Sequence, residues 1–392
     1  MKNILLRKGL VFILPILFII ACEEDPTSIG NNLIPDEDKL QLVETNTNDL
    51  NIERSNESYL GEALAHSDAN RVLLGKNDNV TYTSLLRFAL NAIPDSVETS
   101  LINNELEIVK SKVTMTYEYY AGDKNADYSF EAFEIKENWK YYDFTEKGLD
   151  TLDIGNLNLA SSIDSKATDS TVTFELSDDI ILQWINARID PDNYDYYGLV
   201  LKPKNENLVI GFIENGGFSL EVVIKNSANQ IDTLGGYIIW DTHVAEGEFP
   251  SLESDELVVQ SGLPVRTNMY FDVIGMLPER AAIIEATLEL YADTTKSVYG
   301  NDDPANIYIS LYEDVEKDSL VSGVGGALTR SGNKLSGNIT TLVQYIVNNE
   351  KNKGFRLSMF DEHYGASKYV LMGHNAEEAL KPKLTIFYSK QR

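Results

Sequence analysis

Leu85-Leu86-Arg87-Phe88-Ala89-Leu90, running on to Ile93-Pro94 and then to the stretch Leu101 to Ile108 (LINNELEI), carries the pattern on which the fold turns. It returns as Met269-Tyr270-Phe271-Asp272-Val273, Leu277-Pro278 and the stretch Ile283 to Tyr291 (IIEATLELY). Further on, Gln183-Trp184-Ile185 answers Gln344-Tyr345-Ile346, and Gly198-Leu199-Val200-Leu201 answers Gly354-Phe355-Arg356-Leu357. Each copy closes on an apolar strand, Phe218 to Ile224 and Leu384 to Tyr388, the second announced by Lys381-Pro382-Lys383. The matches keep their order while the offset drifts only from 184 to 156 residues. Self-similarity of this kind defines architecture before any residue is given a role.

Between these marks the chain reads mainly as strand. Val172 to Leu176 and Ile307 to Leu311 alternate with period two, and Phe130 to Ile135 is a mixed, buried run. One short helix is expected in each copy. In the first, Ser177 is the N-cap, Asp178 and Asp179 fill the first turn, and Ile181, Trp184 and Ile185 share a face. In the second, Ile339, Leu342, Val343 and Ile346 follow Asn338 in the same way. Many short strands with frequent turn signals and no βα alternation predict an all-β chain of two tandem antiparallel sandwiches. The expected divisions are 1–21 signal peptide, 22–50 lipidated polar tether, 51–225 first sandwich, 226–256 connector with one strand from Tyr237 to Trp240, and 257–392 second sandwich.

This order of features resembles the DNRLRE-type β-sandwich module of bacterial surface and secreted proteins. The first copy carries Leu85 to Phe88, Ile93-Pro94, Trp139 and Gly198 to Leu201; the second carries Ile283 to Tyr291, Gly354 to Leu357 and Pro382 to Tyr388. The second copy departs in Met269-Tyr270-Phe271 and in lacking a tryptophan to match Trp139; the first lacks a proline before its last strand. The likeness covers about residues 51 to 390. It implies a jelly-roll-like sandwich and, in some relatives, carbohydrate binding, with no catalytic residues.

Location is read from the start of the chain. Lys2, Arg7 and Lys8 precede the apolar run Gly9 to Ile20, too short to span a bilayer as a helix but suited to a signal-peptide h-region. Ile19-Ile20-Ala21-Cys22 resembles a bacterial lipobox, which implies lipidation of Cys22, the one cysteine of the chain. Two or more acyl chains hold a protein stably on a membrane. Glu23-Glu24-Asp25 resembles the acidic tag of Bacteroidota surface lipoproteins, so the expected location is the outer membrane, facing the exterior. Residues 23–50, rich in Asn, Asp, Glu and Thr, read as a tether too polar to fold alone.

Charge and motif content narrow the chemistry. A net charge of −28, or −31 once residues 1–21 with their three basic groups are removed, repels nucleic acid and anionic polysaccharides. No Gly-x-Ser-x-Gly elbow and no His-Glu-x-x-His pair occurs; His66, His243, His363 and His374 read as scattered loop residues. Gly323-Val324-Gly325-Gly326 lacks the lysine of a phosphate loop and reads as a turn. No enzymatic activity and no cofactor is expected.

Sugars present C–H patches beside hydroxyls, so their sites need aromatic faces with polar neighbours. Three clusters qualify: Tyr117, Tyr119 and Tyr120; Trp139, Tyr141 and Tyr142; and Tyr194, Tyr196 and Tyr197 among Asp192, Asn193 and Asp195. The third, in a loop behind Pro191, is the expected ligand edge. Calcium is a second chemistry for which Asp190, Asp192 and Asp195, or Asn301, Asp302 and Asp303, offer hard oxygen ligands, although neither set has the Gly and terminal Glu of an EF-hand loop. The expected function is a non-catalytic surface lipoprotein binding a neutral glycan. The alternative is a structural or accessory component of an envelope assembly, with other envelope proteins as partners.

Overall fold

The computed structural model describes residues 41–390, apart from 51, 63, 68, 127, 167–169, 205, 215, 279–280 and 303–305. The signal peptide, Cys22, the Glu23-Glu24-Asp25 tag, the tether up to residue 40 and Asp303 lie outside the described residues. Strand accounts for 51% of the chain and helix for 11%, all in antiparallel sheets, as the period-two runs predict.

The strands are β1 (Gln41–Asn46), β2 (Arg54–Leu60), β3 (Arg71–Asn77), β4 (Val80–Leu90), β5 (Glu107–Gly122), β6 (Phe130–Glu134) and β7 (Ala160–Lys166). Then come β8 (Thr171–Leu176), β9 (Leu199–Pro203), β10 (Leu208–Ile213), β11 (Phe218–Lys225), β12 (Ile231–Gly247), β13 (Glu256–Gln260) and β14 (Val265–Phe271). The chain ends with β15 (Ala282–Tyr291), β16 (Asn306–Asp314), β17 (Ser319–Ser331), β18 (Lys334–Asn338), β19 (Phe355–Met359), β20 (Lys368–Met372) and β21 (Lys383–Lys390).

One sheet of ten strands is built from β3 to β12, and one of eleven from β13 to β21 together with β1 and β2. The repeat recurs ladder for ladder. β4 pairs β9 as β14 pairs β19; β6 pairs β9 as β16 pairs β19; β5 pairs β8 and β11 as β15 pairs β18 and β21. In the first unit a ladder between β10 and β5 closes β10-β3-β4-β12-β11-β5 into a barrel; its counterpart in the second is the single bridge Ala292 to Leu371, which leaves a half-barrel.

Two expected boundaries move. Residues 231–247, placed in the connector, form the 17-residue β12, inserted between β11 and β4. Its Gly235-Gly236 pair suggests a turn, yet Gly236 is where the strand passes from Leu220 on β11 to Leu90 on β4, and a Cβ there would press on Leu220 at 3.1 Å and on the Ala89 carbonyl at 3.2 Å. In the second unit the same slot is filled from the N-terminus. β1 pairs β21 and β2 pairs β14, so residues 41–46, assigned to the tether, and 54–60, assigned to the first sandwich, belong to the second unit's sheet. Fully buried Thr47 fastens the junction. Its N–H donates to the Leu384 carbonyl at 3.0 Å and its hydroxyl accepts from Leu384 N–H at 3.1 Å.

Helices follow the expected sites with two differences. The first unit also holds α1 (Asp95–Ile102) and α2 (Glu146–Thr151) besides α3 (Asp178–Ile189); the second holds α4 (Thr340–Asn349). Pro94 with Asp95 and Glu98 starts α1, so Leu101 and Ile102 are helical and the strand begins only at Glu107. Ser177 occupies the N-cap of α3, but its hydroxyl is buried and makes no capping bond. Trp184 on α3 is 1% exposed and stacks on Phe88 at 6.1 Å, while Leu342, Val343 and Ile346 of α4 fill the second core.

The two units are welded by a third apolar cluster in which Leu73, Tyr82, Tyr119 and Val209 of the first meet Val258, Leu263, Val265 and Ala366 of the second. Tyr119 accepts from Ala366 N–H at 2.8 Å, and Tyr82 donates to the Ser261 carbonyl at 3.2 Å. Gly262 sits at φ +77° where a Cβ would lie 2.3 Å from the Tyr82 hydroxyl. Gly262→Ala therefore combines left-handed strain with a clash, and should cost about 2 kcal/mol or more in urea unfolding.

Candidate functional site

The alternation of β4 sends Leu86, Phe88 and Leu90 into the main core and leaves Arg87 on the opposite face. There Arg87 pairs in register with Trp240 of β12. Its guanidinium carbon lies 4.6 Å from the Trp240 ring centre, 5.3 Å from Tyr196 and 5.8 Å from Tyr197, within cation–π range of all three. Arg87 Nε is buried and has no hydrogen-bond partner among the described residues.

Tyr141 stacks on Trp240 at 5.8 Å with a 27° interplanar angle, and Trp139 meets the same indole edge-on at 5.9 Å. Trp139 is itself buried, clasped by Phe144 at 5.5 Å and by its Nε1–H donating to the Tyr197 carbonyl at 2.7 Å. These residues arrive on the excursion between β6 and β7, which carries α2 and a 3₁₀ turn at Tyr141–Asp143. Tyr142 (49% exposed) and Tyr237 (54%) leave aromatic surface open to solvent.

Two of the three aromatic clusters read from sequence thus converge around one arginine, and the third does not join them. Tyr119 lies in the seam between units, and Tyr117 packs edge-on to Phe212. Within the favoured loop the residues divide. Tyr196 is half-buried, tilted on Trp184 at 5.5 Å with its hydroxyl donating to the Phe88 carbonyl, so it is partly core. Burial raises its phenol above the usual range, against the opposing charge of Arg87. Tyr197 is half-exposed, and burial and then its hydrogen bond with Asp195 raise its phenol. Tyr194 and Asp192 are exposed on the turn after α3. Arg87, Trp240 and Tyr237 escaped the sequence reading, although Arg87 stands at the outward position of a period-two strand.

The calcium candidates are engaged in other ways. Asp190 accepts from Asn193 Nδ2 at 2.8 Å, Asn301 Oδ1 accepts from Tyr120 N–H at 2.7 Å, and Asp302 pairs with Arg71 at 2.6 Å. Among the described residues no three His, Cys, Asp or Glu side chains are grouped to hold a metal ion. Asp241, beside Trp240 on β12, is half-buried, and burial with the neighbouring Glu214 pushes its carboxyl up to about 7.

Three of the four histidines come together, while the fourth, His374, has its Nδ1 2.7 Å from Asn56 Oδ1. His66 stacks on His243 of β12 at 4.3 Å, and His363 meets His66 edge-on at 6.3 Å, while His66 Nδ1 lies 2.7 Å from the His363 carbonyl oxygen. His243 is fully buried and neither ring nitrogen has a hydrogen-bond partner among the described residues. Burial holds His66 down to about 4 and His243 well below the ordinary imidazole value.

The fold and this face define an all-β, two-unit protein carrying an aromatic-arginine surface. Comparison with known protein families, with curated proteins and with solved structures finds no match.

Proposed function

We propose that this chain is a non-catalytic binding protein, held at the outer-membrane surface through a lipid on Cys22, and that the Arg87 face of the first unit binds a neutral glycan. The observation that supports it is the sandwich of Arg87 among Trp240, Tyr196 and Tyr197, edged by the exposed rings of Tyr142 and Tyr237. Aromatic faces meet the C–H side of a pyranose, and the guanidinium with Asp195 meets its hydroxyls. The net charge of −28 favours a neutral ligand. The likeness to the DNRLRE-type module agrees with this reading.

A soluble fragment for testing must start near residue 38, because one cut at 51 loses β1. On a neutral-glycan array, Tyr197→Ala should weaken retention at least tenfold with the melting temperature little changed, and Trp240→Ala should weaken it as much while also lowering the melting temperature, since the indole packs on Trp139 and Tyr141. Tyr196→Ala should lower the melting temperature as well, since that ring packs on Trp184. Full retention by the Trp240→Ala fragment would remove the face from consideration.

A further inference from the structure

The internal repeat places a second site. Met269 occupies in β14 the place of Leu86 in β4, since each is the register partner of the first residue of the next ladder, Phe355 in one unit and Leu199 in the other. Tyr270 therefore stands where Arg87 stands. Its partner Ser55 on β2 stands where Trp240 stands on β12, and Lys353, just before Gly354, stands where Tyr197 stands before Gly198.

The two faces differ in what covers them. In the first unit the long excursion between β6 and β7 brings Trp139, Tyr141 and Phe144 down over the face. In the second, β16 and β17 are joined by residues 315–318 alone, and among the described residues there is no such cover. What remains is an open cleft of about 370 Å³ with Glu53, Glu57, Asn268, Tyr270, Tyr312 and Lys353 in its walls. That volume falls in the range of small-molecule sites, roughly 300–1,000 Å³.

The cleft is also held rigid. The Tyr312 hydroxyl donates to Asn268 Oδ1 and lies 2.8 Å from the Tyr59 hydroxyl, which donates to Asp318 at 2.7 Å. Asp318 is gripped by Arg266 at 2.7 Å and Arg356 at 3.3 Å, and Arg266 makes a two-pronged pair with Glu362 at 2.9 and 2.7 Å. Its floor is apolar, with Met269 and Phe355 almost wholly buried. A site whose walls are locked before binding loses less entropy when a ligand enters.

From these features we infer that the second unit holds its own ligand site in this cleft, for one or two pyranose units of an uncharged glycan, with Tyr270 as the stacking face. Two carboxylates against one ammonium supply acceptors and a donor for hydroxyls and disfavour an anion. Because Glu53 directly precedes β2 and Glu57 pairs with Asn268 within the ladder to β14, the segment next to the membrane tether builds one wall of the site. The inference rests on the reading of this chain as a glycan binder.

The test separates the two. All three tryptophans, Trp139, Trp184 and Trp240, lie in the first unit, so tryptophan fluorescence reports that unit while calorimetry reports both. Neutral hexasaccharides (cellohexaose, laminarihexaose, mannohexaose, maltohexaose) are titrated into the fragment starting at residue 38. Heat of binding that survives Trp240→Ala, and weakens at least tenfold in Tyr270→Ala and in Lys353→Ala, establishes the cleft; Lys353 is exposed, so its truncation leaves folding intact. If Trp240→Ala alone abolishes all binding, the cleft is overturned and the first-unit reading stands. If Trp240→Ala changes nothing while Tyr270→Ala abolishes binding, the reverse holds. No heat with any of the four sugars removes both.

Discussion

A chain that starts at residue 61 should lose its second unit while keeping its first. β1 and β2 contribute ladders of six and seven residues to β21 and β14, in the slot that β12 fills in the first unit. At about 1 kcal/mol net per hydrogen bond, plus the buried Thr47 junction, their removal should cost on the order of 5 kcal/mol or more, comparable with the whole stability of a typical domain. It also bares two strand edges, which invites self-association. In urea, the truncated chain should show the first unit's transition alone, with aggregation at rest. A synthetic peptide of residues 38–62 added in trans should restore the lost transition. A truncated chain with an unchanged single transition would mean that the N-terminal strands are ornamental.

Acidification should loosen the seam near His66 and His243. Both imidazoles are held neutral in the fold, with His66 at about 4 against an ordinary 6.5. Below pH 6.5 the unfolded chain takes up protons that the folded chain refuses, so stability is complete above 6.5 and falls as pH drops toward 4. For His66 alone the loss at pH 5 is about 2 kcal/mol. Asp241 has the opposite sign, since its carboxyl is raised to about 7. Its contribution is present in acid and lost as pH rises through 7, and Asp241→Asn should gain about 1 kcal/mol at pH 8 once solvent screening is allowed for. The half-buried carboxyl, screened by solvent, opposes the two more deeply buried imidazoles between pH 4 and 6.5, and an Asp241→Asn background isolates the imidazoles. Urea midpoints at pH 5 and 7.5 check this. Wild type should fall steeply at the lower pH and His66→Phe less so; equal slopes in the two proteins would exonerate the histidines.

Legibility varied with the kind of force involved. β4, β11, β14 and β21 were readable because they bury one face, and burial writes an apolar alternation into the residues. β2, Arg-Ser-Asn-Glu-Ser-Tyr-Leu, carries no such pattern, since backbone pairing with β14 holds it more than side-chain burial does. Of β12, Tyr237 to Trp240 was readable as strand, but its extent was hidden by Gly235-Gly236, a pair that suits a turn equally well as a crossing between two neighbours. At the candidate face the tyrosine and tryptophan clusters stood out by composition. Arg87 and Trp240 did not, because they lie 153 residues apart and only strand pairing makes them neighbours.

The residues alone settled that this chain is built twice from antiparallel strands with a helix late in each copy, because periodicity and repetition are local properties that survive without contacts. Which strand closes which unit, which arginine sits among which rings, and why one face is covered and its twin is open were settled by tertiary pairing. Those are relations between residues far apart in the chain, and their free energy resides in the ladder, the seam and the packed loop, which no single segment encodes.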